Sequence, residues 1–397
     1  MYTSTPDYVR TPDELAAALA RLADSPFVAI DTEFLRERSY YPKFCLLQIA
    51  HDDYCALIDV LALPSLAPLL DFLNDRERLK VLHAAHQDLE VLARSRGALL
   101  GVPVAPIAGP FLDTQAAAAF LDMPAHIGYG ELVRRRLDLT LDKDQARTDW
   151  SRRPLSDAQL KYAAADVIYL VELYHNLKKA LGHTLRWCWL EEDAEQWEDP
   201  KLYVTEPAEA WKRLRGLDQM QPEQRAAAKA LAEWRESRAM YKDRPRAWIL
   251  SDDTLRAIAE SLPTTVEALA KIKGLPKRLA EKRGVELLQL IADSKAQAAH
   301  EPPARIFKPT PSEVGKITKL MELVRKEGAR LHISPERLAT RREVEALVFS
   351  GRLGGFAQGW RRHCFGERLI RTAEKLFTPQ SNAQRRTPPL GSRCMAR

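Results

Sequence analysis

Phe27-Val-Ala-Ile-Asp-Thr-Glu-Phe34 joins a run of apolar residues to two carboxylates spaced two apart. Val28-Ala-Ile30 reads as a short buried strand that Asp31 closes. Side chains two apart on a strand share a face. Asp31 and Glu33 are therefore expected to project together from the strand end, beside the core. Alone, an Asp-x-Glu pair fits an ordinary strand-end turn as well as it fits a site, so its meaning depends on what the rest of the chain brings to it.

Working outward, Thr11-Pro-Asp-Glu14 is a capping box with proline at the first helical position, and Leu15, Leu19 and Leu22 follow on one face. Phe44 to Ala50 and Tyr54 to Val60 read as strands joined by the tight turn His51-Asp-Asp53, which predicts an antiparallel hairpin. Leu79 to His83 reads as another strand, followed by a helix from about Gln87 to Ser95. Residues 111–122 and 156–180 read as helical. Early antiparallel strands followed by strands mixed with helices predict an α/β domain with a mixed sheet over residues 1–200. The acidic segment 191–200 is expected to end it.

Beyond that segment strand signals nearly vanish. Residues 207–292 read as consecutive helices, 293–311 as a linker, 312–378 as a second helical group, and 379–397 as a disordered basic tail. The two helical groups resemble a diverged duplication. Ser251-Asp-Asp-Thr-Leu255 matches Ser334-Pro-Glu-Arg-Leu338, and Val266-Glu-Ala-Leu269 recurs as Val344-Glu-Ala-Leu347. Gly351-Arg-Leu-Gly-Gly-Phe356 departs from the pattern in the second copy.

Two further carboxylates complete the first domain's chemistry. Asp88 lies in Leu82-His-Ala-Ala-His-Gln-Asp-Leu89, at the start of a helix, where a first-turn aspartate is also common as a cap. His83 and His86 beside it read as packing or substrate-contact residues, not metal ligands. Tyr162 and Asp166 are four apart on a helix opened by the capping box Ser156-Asp-Ala-Gln159, so they share a face. Apolar residues flank Asp166, and an unpaired buried charge is costly. Four carboxylates converging in one semi-buried place require cations. Oxygen ligands favour Mg²⁺ or Mn²⁺ over zinc, which points to metal-dependent chemistry on a phosphodiester.

Charge is divided unevenly. Residues 1–200 carry 31 acids and 21 bases, a net of −10, whereas 201–397 carry 23 acids and 39 bases, a net of +16. An acidic half suits cations, and a basic half suits a polyanion. The five cysteines include no C-x-x-C pair, which argues against a zinc site or a disulfide framework; Cys45 and Cys55 are expected in the core. No apolar run is long enough to span a bilayer, and Met1 to Asp7 lacks the layout of a signal peptide, so a cytoplasmic protein is expected.

The order Asp-x-Glu after a strand, Asp opening a helix, then Tyr-x-x-x-Asp on a late helix resembles the DEDD exonuclease superfamily, the tyrosine marking its DEDDy branch. Asp31-Thr-Glu-Phe34, Arg38-Ser-Tyr-Tyr-Pro42, Leu47-Gln-Ile49, Asp144-Gln-Ala-Arg-Thr-Asp-Trp150 and Trp150-Ser-Arg-Arg-Pro-Leu155 look like the bacterial ribonuclease D family. Trp211-Lys-Arg-Leu-Arg-Gly-Leu217, Trp234-Arg-Glu-Ser-Arg238 and Pro245-Arg-Ala-Trp-Ile-Leu250 resemble an HRDC domain.

The resemblance implies a ribonuclease-H-like exonuclease domain with a mixed sheet, followed by two all-α HRDC-type domains. It implies two divalent ions, Mg²⁺ or Mn²⁺, on Asp31, Glu33, Asp88 and Asp166, with Tyr162 as the catalytic tyrosine. The implied activity is 3′–5′ removal of 5′-mononucleotides from RNA with a free 3′ end, tRNA precursors among them. No membrane and no obligate protein partner are implied. Phe34, Tyr40 and Tyr41 are candidates to stack on unpaired bases. Lys212, Arg213, Arg215, Lys271, Lys273, Lys277 and Arg278 are candidate phosphate contacts. The rival readings are a DNA 3′–5′ exonuclease and a nucleic-acid-binding scaffold with a dead nuclease fold.

Overall fold

The computed structural model describes residues 5–142, 145, 148–182, 184–298 and 309–377. The chain divides into two compact units, with the division after Lys308. The linker expected from 293 starts later, because a helix continues to Ala298. The rest of that stretch up to 308, the expected tail from 379, and Asp144, Ala146 and Arg147 of the Asp144–Trp150 motif lie outside the described residues.

The first unit begins with β1 (Asp7–Val9), α1 (Pro12–Arg21), β2 (Phe27–Leu35), β3 (Lys43–His51), β4 (Tyr54–Ile58), α2 (Ala67–Leu73), β5 (Leu79–Leu82), α3 (His86–Leu100), β6 (Phe111–Asp113), α4 (Thr114–Ala119), α5 (Tyr129–Leu137), α6 (Asp157–Leu181) and α7 (Leu185–Ala194). Among the described residues the strands form one mixed sheet in the order β1-β4-β3-β2-β5-β6. β3 pairs antiparallel with β4 on one side, as the hairpin predicted, and with β2 on the other, while β1 joins β4, β5 joins β2 and β6 joins β5 in parallel.

Successive side chains of β2 face opposite sides of the sheet, and both sides are covered. Val28 and Ile30 are buried on the face covered by α1, α2 and α3, with Leu15, Leu69, Leu89 and Leu92 in the same core. Its other face lies under α6, whose buried Ala163, Val167 and Leu170 pack on β2, β3 and β4.

Three expectations need correction. β2 is nine residues long, so Asp31 and Glu33 sit inside a strand and not at its end. Antiparallel pairing with β3, as far as Leu35 with Lys43, carries the strand past its apolar run. Residues 111–113 form the edge strand β6 before α4, because Asp113 leaves the sheet as an N-cap, accepting from Gln115 N–H at 2.8 Å. The acidic segment does not close the first core: α7 reaches Ala194, and Trp197, Leu202 and Tyr203 still pack against it.

The all-helical half of this unit contains α8 (Pro222–Lys242), α9 (Arg246–Ile249), α10 (Asp252–Ser261), α11 (Val266–Ala270) and α12 (Lys277–Ala298), preceded by a 3₁₀ turn at Pro207–Arg213. Leu231, Leu255, Ile258, Leu287 and Ile291 form its core. It is joined to the sheet domain by a polar seam. Asp243, in the left-handed conformation just after α8, accepts the N–H groups of Tyr40 and Tyr41, each at 2.9 Å. The Tyr40 hydroxyl donates to the fully buried Glu236 carboxylate at 2.5 Å.

The second unit holds α13 (Pro311–Leu331), α14 (Arg341–Ser350), α15 (Gly359–Arg361) and α16 (Glu367–Phe377), with a π turn at Arg362–Gly366 between the last two. Ile317, Leu320, Val324, Phe356, Phe365 and Leu369 are buried there. Phe356 of the glycine-rich stretch lies against Gly366, where an added Cβ would fall 1.8 Å from the Phe356 carbonyl oxygen, so only glycine fits. The expected duplication is only partly matched in secondary structure. Ser251 caps a ten-residue helix, whereas Ser334 opens a three-residue 3₁₀ turn.

Candidate active site

The crevice forms where β2 outruns its neighbour. β5 pairs with β2 only from Phe27 to Ala29, so the β5 side of β2 is left without a strand partner at Asp31 and Glu33. α3 begins where β5 stops, and its first turn carries Asp88 to that edge. This is the kind of opening, beyond the ends of parallel strands, in which α/β sheets hold ligands.

Alternation turns Thr32 toward α3 while Asp31 and Glu33 face α6. The Thr32 hydroxyl donates to Asp88 Oδ1 at 2.5 Å, and the Thr32 backbone N–H also bonds the Asp88 carboxylate. The turn before α3 is held by Asp113, which accepts from Ala84 N–H at 2.9 Å and Ala85 N–H at 3.3 Å, with Ala84 at φ 54°. A non-glycine residue in the left-handed region is strained. Asp113 thus fixes the helix start that aims Asp88.

From the other face, the Ser156–Gln159 capping box starts α6 as predicted, and one turn later Tyr162 and Asp166 point along the same side. The Tyr162 hydroxyl bonds the Asp166 carboxylate. Trp150 is buried, with its ring centroid 6.1 Å from that of Tyr162. The Tyr129 hydroxyl donates to the Asp166 carbonyl at 2.6 Å and ties α5 to α6. Thr32, Asp113, Tyr129 and Trp150 therefore support the site, and the sequence reading passed over the roles of all four. A signal existed for Thr32 and Trp150, each within a quoted motif.

Asp31, Glu33 and Asp166 each present a carboxylate oxygen, and these oxygens lie within 4.8 Å of one another. Asp88 is buried and lies within electrostatic reach of the three. Burial, reinforced by Asp88, Asp166 and Glu33, pushes the Asp31 carboxyl well above its ordinary value. Burial, with Asp166 and Asp88, raises Glu33 to about 9. Burial likewise raises Asp88 to about 7 against the opposing Thr32 hydrogen bond. It raises Asp166 to about 7 against the Tyr162 hydrogen bond. The Tyr162 phenol is pushed up as well, by burial and then by Asp166. Four acids that resist ionisation together are a set of hard oxygen donors short of positive charge, and a divalent cation of the Mg²⁺ type fits them.

His83 is occupied: its ring nitrogens contact Thr114 Oγ1 at 2.9 Å and the Ile127 carbonyl at 3.1 Å. His86 is exposed and stacks loosely near Trp197 and Tyr203.

Several of the suggested RNA contacts have partners within the protein. Phe34 is half-buried against the sheet core. Tyr40 and Tyr41 belong to the seam, Tyr40 through Glu236 and Tyr41 under the Arg94 guanidinium at 4.6 Å. They serve domain packing here, because the seam needs aromatic bodies with polar tips. Lys212 pairs with Glu209, and Arg213 reaches Glu236 at 3.4 Å. Lys273 and Lys277 are exposed.

Fold and site together define the class: an exonuclease domain of the ribonuclease-H-like type followed by a helical HRDC domain. The family description "3'-5' exonuclease" matches residues 6–182, and "HRDC domain" matches 224–291.

The chain belongs to the ribonuclease D family. It is 37% identical to the ribonuclease D of Sphingobium indicum over 370 residues, covering 91% of this chain and 92% of that protein. It is 34% identical to that of Pseudomonas paraeruginosa, covering 94% and 100%. The crystal structure of Escherichia coli RNase D, described as an exoribonuclease involved in structured RNA processing, superposes with a TM-score of 0.78 at 28% identity, covering 94% of this chain and 99% of that one. The catalytic core of RRP6 from Trypanosoma brucei shares the fold, with a TM-score of 0.57 at 22% identity over 75% of this chain and 84% of that one.

Proposed function

We propose that Asp31, Glu33, Asp88 and Asp166 hold two divalent cations, Mg²⁺ or Mn²⁺, with which this member of the ribonuclease D family removes nucleotides from the 3′ end of RNA as 5′-mononucleotides. The observation that carries the assignment is the meeting of Asp31, Glu33 and Asp166 oxygens within 4.8 Å beside the buried Asp88. Asp31, whose carboxyl feels all three of the others, would contribute to holding both cations. Glu33 and Asp166 would help hold one, and Asp88 would help hold the other. When bound, the pair supplies Lewis-acid stabilisation of the attacking and leaving oxygens and lowers the pKa of the nucleophilic water.

The protein's own groups do the positioning. A free phenol titrates near about 10, so Tyr162 suits orienting the attacking water by hydrogen bonding better than taking its proton. Trp150 and Tyr129 limit how far Tyr162 and α6 can shift. The basic helical half guides the RNA, and tRNA precursors in the cytoplasm are the expected substrates. No helix among the described residues is long and apolar enough to cross a membrane.

End-labelled RNA should shorten stepwise from its 3′ end with Mg²⁺, releasing 5′-mononucleotides, and stop in EDTA. Equal shortening of DNA of the same sequence would favour the DNA-exonuclease reading. EDTA-resistant shortening would remove the cations from the mechanism.

A further inference from the structure

Gln48, in the motif Leu47-Gln-Ile49, takes no part in the contacts that build the acidic crevice. It sits within β3 and is 0% exposed. Among the described residues, neither its amide nitrogen nor its amide oxygen has a hydrogen-bond partner. Arg78, Arg235 and Glu236 each hold an orphaned buried atom too, but all three bond through their other atoms. Gln48 bonds through neither end. Burying an amide without partners is costly, and a leucine or methionine would fill the space without that cost. Such a group in a folded protein calls for an explanation.

The sheet register supplies one. Gln48 stands directly across from Asp31 on β2 and from Leu57 on β4. Directly opposed residues of paired strands share a face, so Gln48 points to the same side as Asp31, under α6. Its neighbours along that face of β3 are Leu46 and Ala50, both buried. Of these four side chains only Asp31 is polar. Directly opposed side chains have Cβ atoms about 4.5–5.5 Å apart, and the amide nitrogen of glutamine stands three bonds beyond its Cβ. Rotation of the side chain alone brings that nitrogen to the Asp31 carboxylate, with no movement of either strand. Asp31 meets Glu33 and Asp166 on the crevice side, and Gln48 stands on its β3 side. The Thr32 N–H bonds Asp31 and Asp88 alike, so neither carboxylate has that donor to itself.

We propose that Gln48 is a positioning residue for Asp31: in the cation-loaded protein its amide N–H donates to the Asp31 carboxylate and fixes the direction in which that carboxylate presents its remaining lone pairs. The inference rests on the proposed cation site and adds a residue behind it. A carboxylate holding cations is an acceptor only, and the amide supplies the donor it lacks. Hydrogen bonds of this kind orient metal-binding carboxylates, and their loss typically weakens metal affinity or activity about 10- to 100-fold.

Mn²⁺ binding to the full chain without RNA, read from the electron paramagnetic resonance signal of the free ion, separates this role from catalysis. Gln48→Met keeps the length of the side chain and removes both polar ends. It should bind Mn²⁺ about 10- to 100-fold more weakly. Its thermal midpoint in EDTA should stay the same or rise, since an unsatisfied buried amide is gone. RNA shortening by this variant should need correspondingly more Mg²⁺ to reach half its maximum, with KM for RNA unchanged. Unaltered Mn²⁺ affinity in Gln48→Met would overturn the proposal and leave the acidic site standing. A midpoint in EDTA lowered by several degrees in both Gln48→Met and Gln48→Leu would also overturn it, because the amide would then serve the fold whether or not cations are bound. No Mn²⁺ binding by the unaltered chain would overturn the cation site itself, and the role of Gln48 with it.

Discussion

Asp59 and Asp31 are carboxylates borne by the same sheet domain, and they show opposite physics. Asp59 is 1% exposed and fully answered. It takes Arg153 Nε at 2.5 Å, Arg153 Nη2 at 2.6 Å and the Tyr8 hydroxyl at 2.7 Å. Burial pushes its carboxyl up, but Arg153 and Tyr8 together outweigh that and hold it below the ordinary carboxylate value. Asp31 meets burial with three more acids and no base, and its carboxyl rises. Burial is common to both. The difference is whether the protein supplies the counter-charge itself. Where it does, the carboxylate is a brace; where it does not, the carboxylate waits for a cation.

The largest expected effect breaks the comparison on its catalytic side. Asp31→Asn or Asp166→Asn should lower Mg²⁺-dependent RNA shortening by about a thousandfold or more, because the members of such a site act as a unit, while circular dichroism shows an intact fold. Full activity in either variant would remove these residues from the site. Tyr162→Phe should cost about a hundredfold, in the range for a group that positions a proton-bearing reactant, without loss of metal-dependent stabilisation.

Asp59→Asn tests the brace. It leaves the Arg153 guanidinium short of its partner and should destabilise the protein by about 3 kcal/mol in urea titration, with rate at low temperature kept within a few-fold. A large loss of rate with unchanged stability would put Asp59 in the wrong column.

The two regions should also titrate with opposite signs. Glu33, raised to about 9, and Asp88 and Asp166, raised to about 7, bind protons more readily in the folded than in the unfolded state. Their contribution to stability is therefore fully present below the unfolded carboxylate pKa and is lost as pH rises through about 7 to 9. In EDTA the midpoint should climb as pH falls from about 9 to 6. Saturating Mg²⁺ should flatten that slope by keeping the carboxylates ionised. Asp59, with a depressed value, stabilises above the ordinary carboxylate pKa and loses that contribution only as pH falls through its own lowered one. A metal-free midpoint that does not change between pH 9 and 6 would mean that the four acids are not crowded.

The smallest effect lies at the seam. Tyr40→Phe deprives the buried Glu236 of a hydroxyl donor at 2.5 Å and should cost about 1–2 kcal/mol. Calorimetry would see it as a lower or split transition, and an unchanged endotherm would mean the seam does not couple the two halves.

Much of this was legible from local chemistry. The capping boxes at Thr11 and Ser156 predicted two helix starts, and both are present, each with its reciprocal bonds. The i, i+4 spacing of Tyr162 and Asp166 fixed their common side. The β3–β4 hairpin followed from an apolar run, a polar turn and a second run. The length of β2 was not legible, because Asp31, Thr32 and Glu33 interrupt its apolar run while the pairing with β3 continues to Leu35. The β6 edge strand was hidden because three residues carry too little pattern to stand out from the helix that follows.

The sequence by itself determined which residues could do the chemistry, since type and spacing are local properties of the chain. It could not say that Tyr40 and Tyr41 would be used up in joining two domains. That outcome depends on which surfaces meet, and a residue's partners are set by groups as many as about two hundred positions away, as with Tyr40 and Asp243. Tertiary structure also decided which buried carboxylate received an arginine and which did not. Pairing depends on distance in space, and no spacing along the chain encodes it.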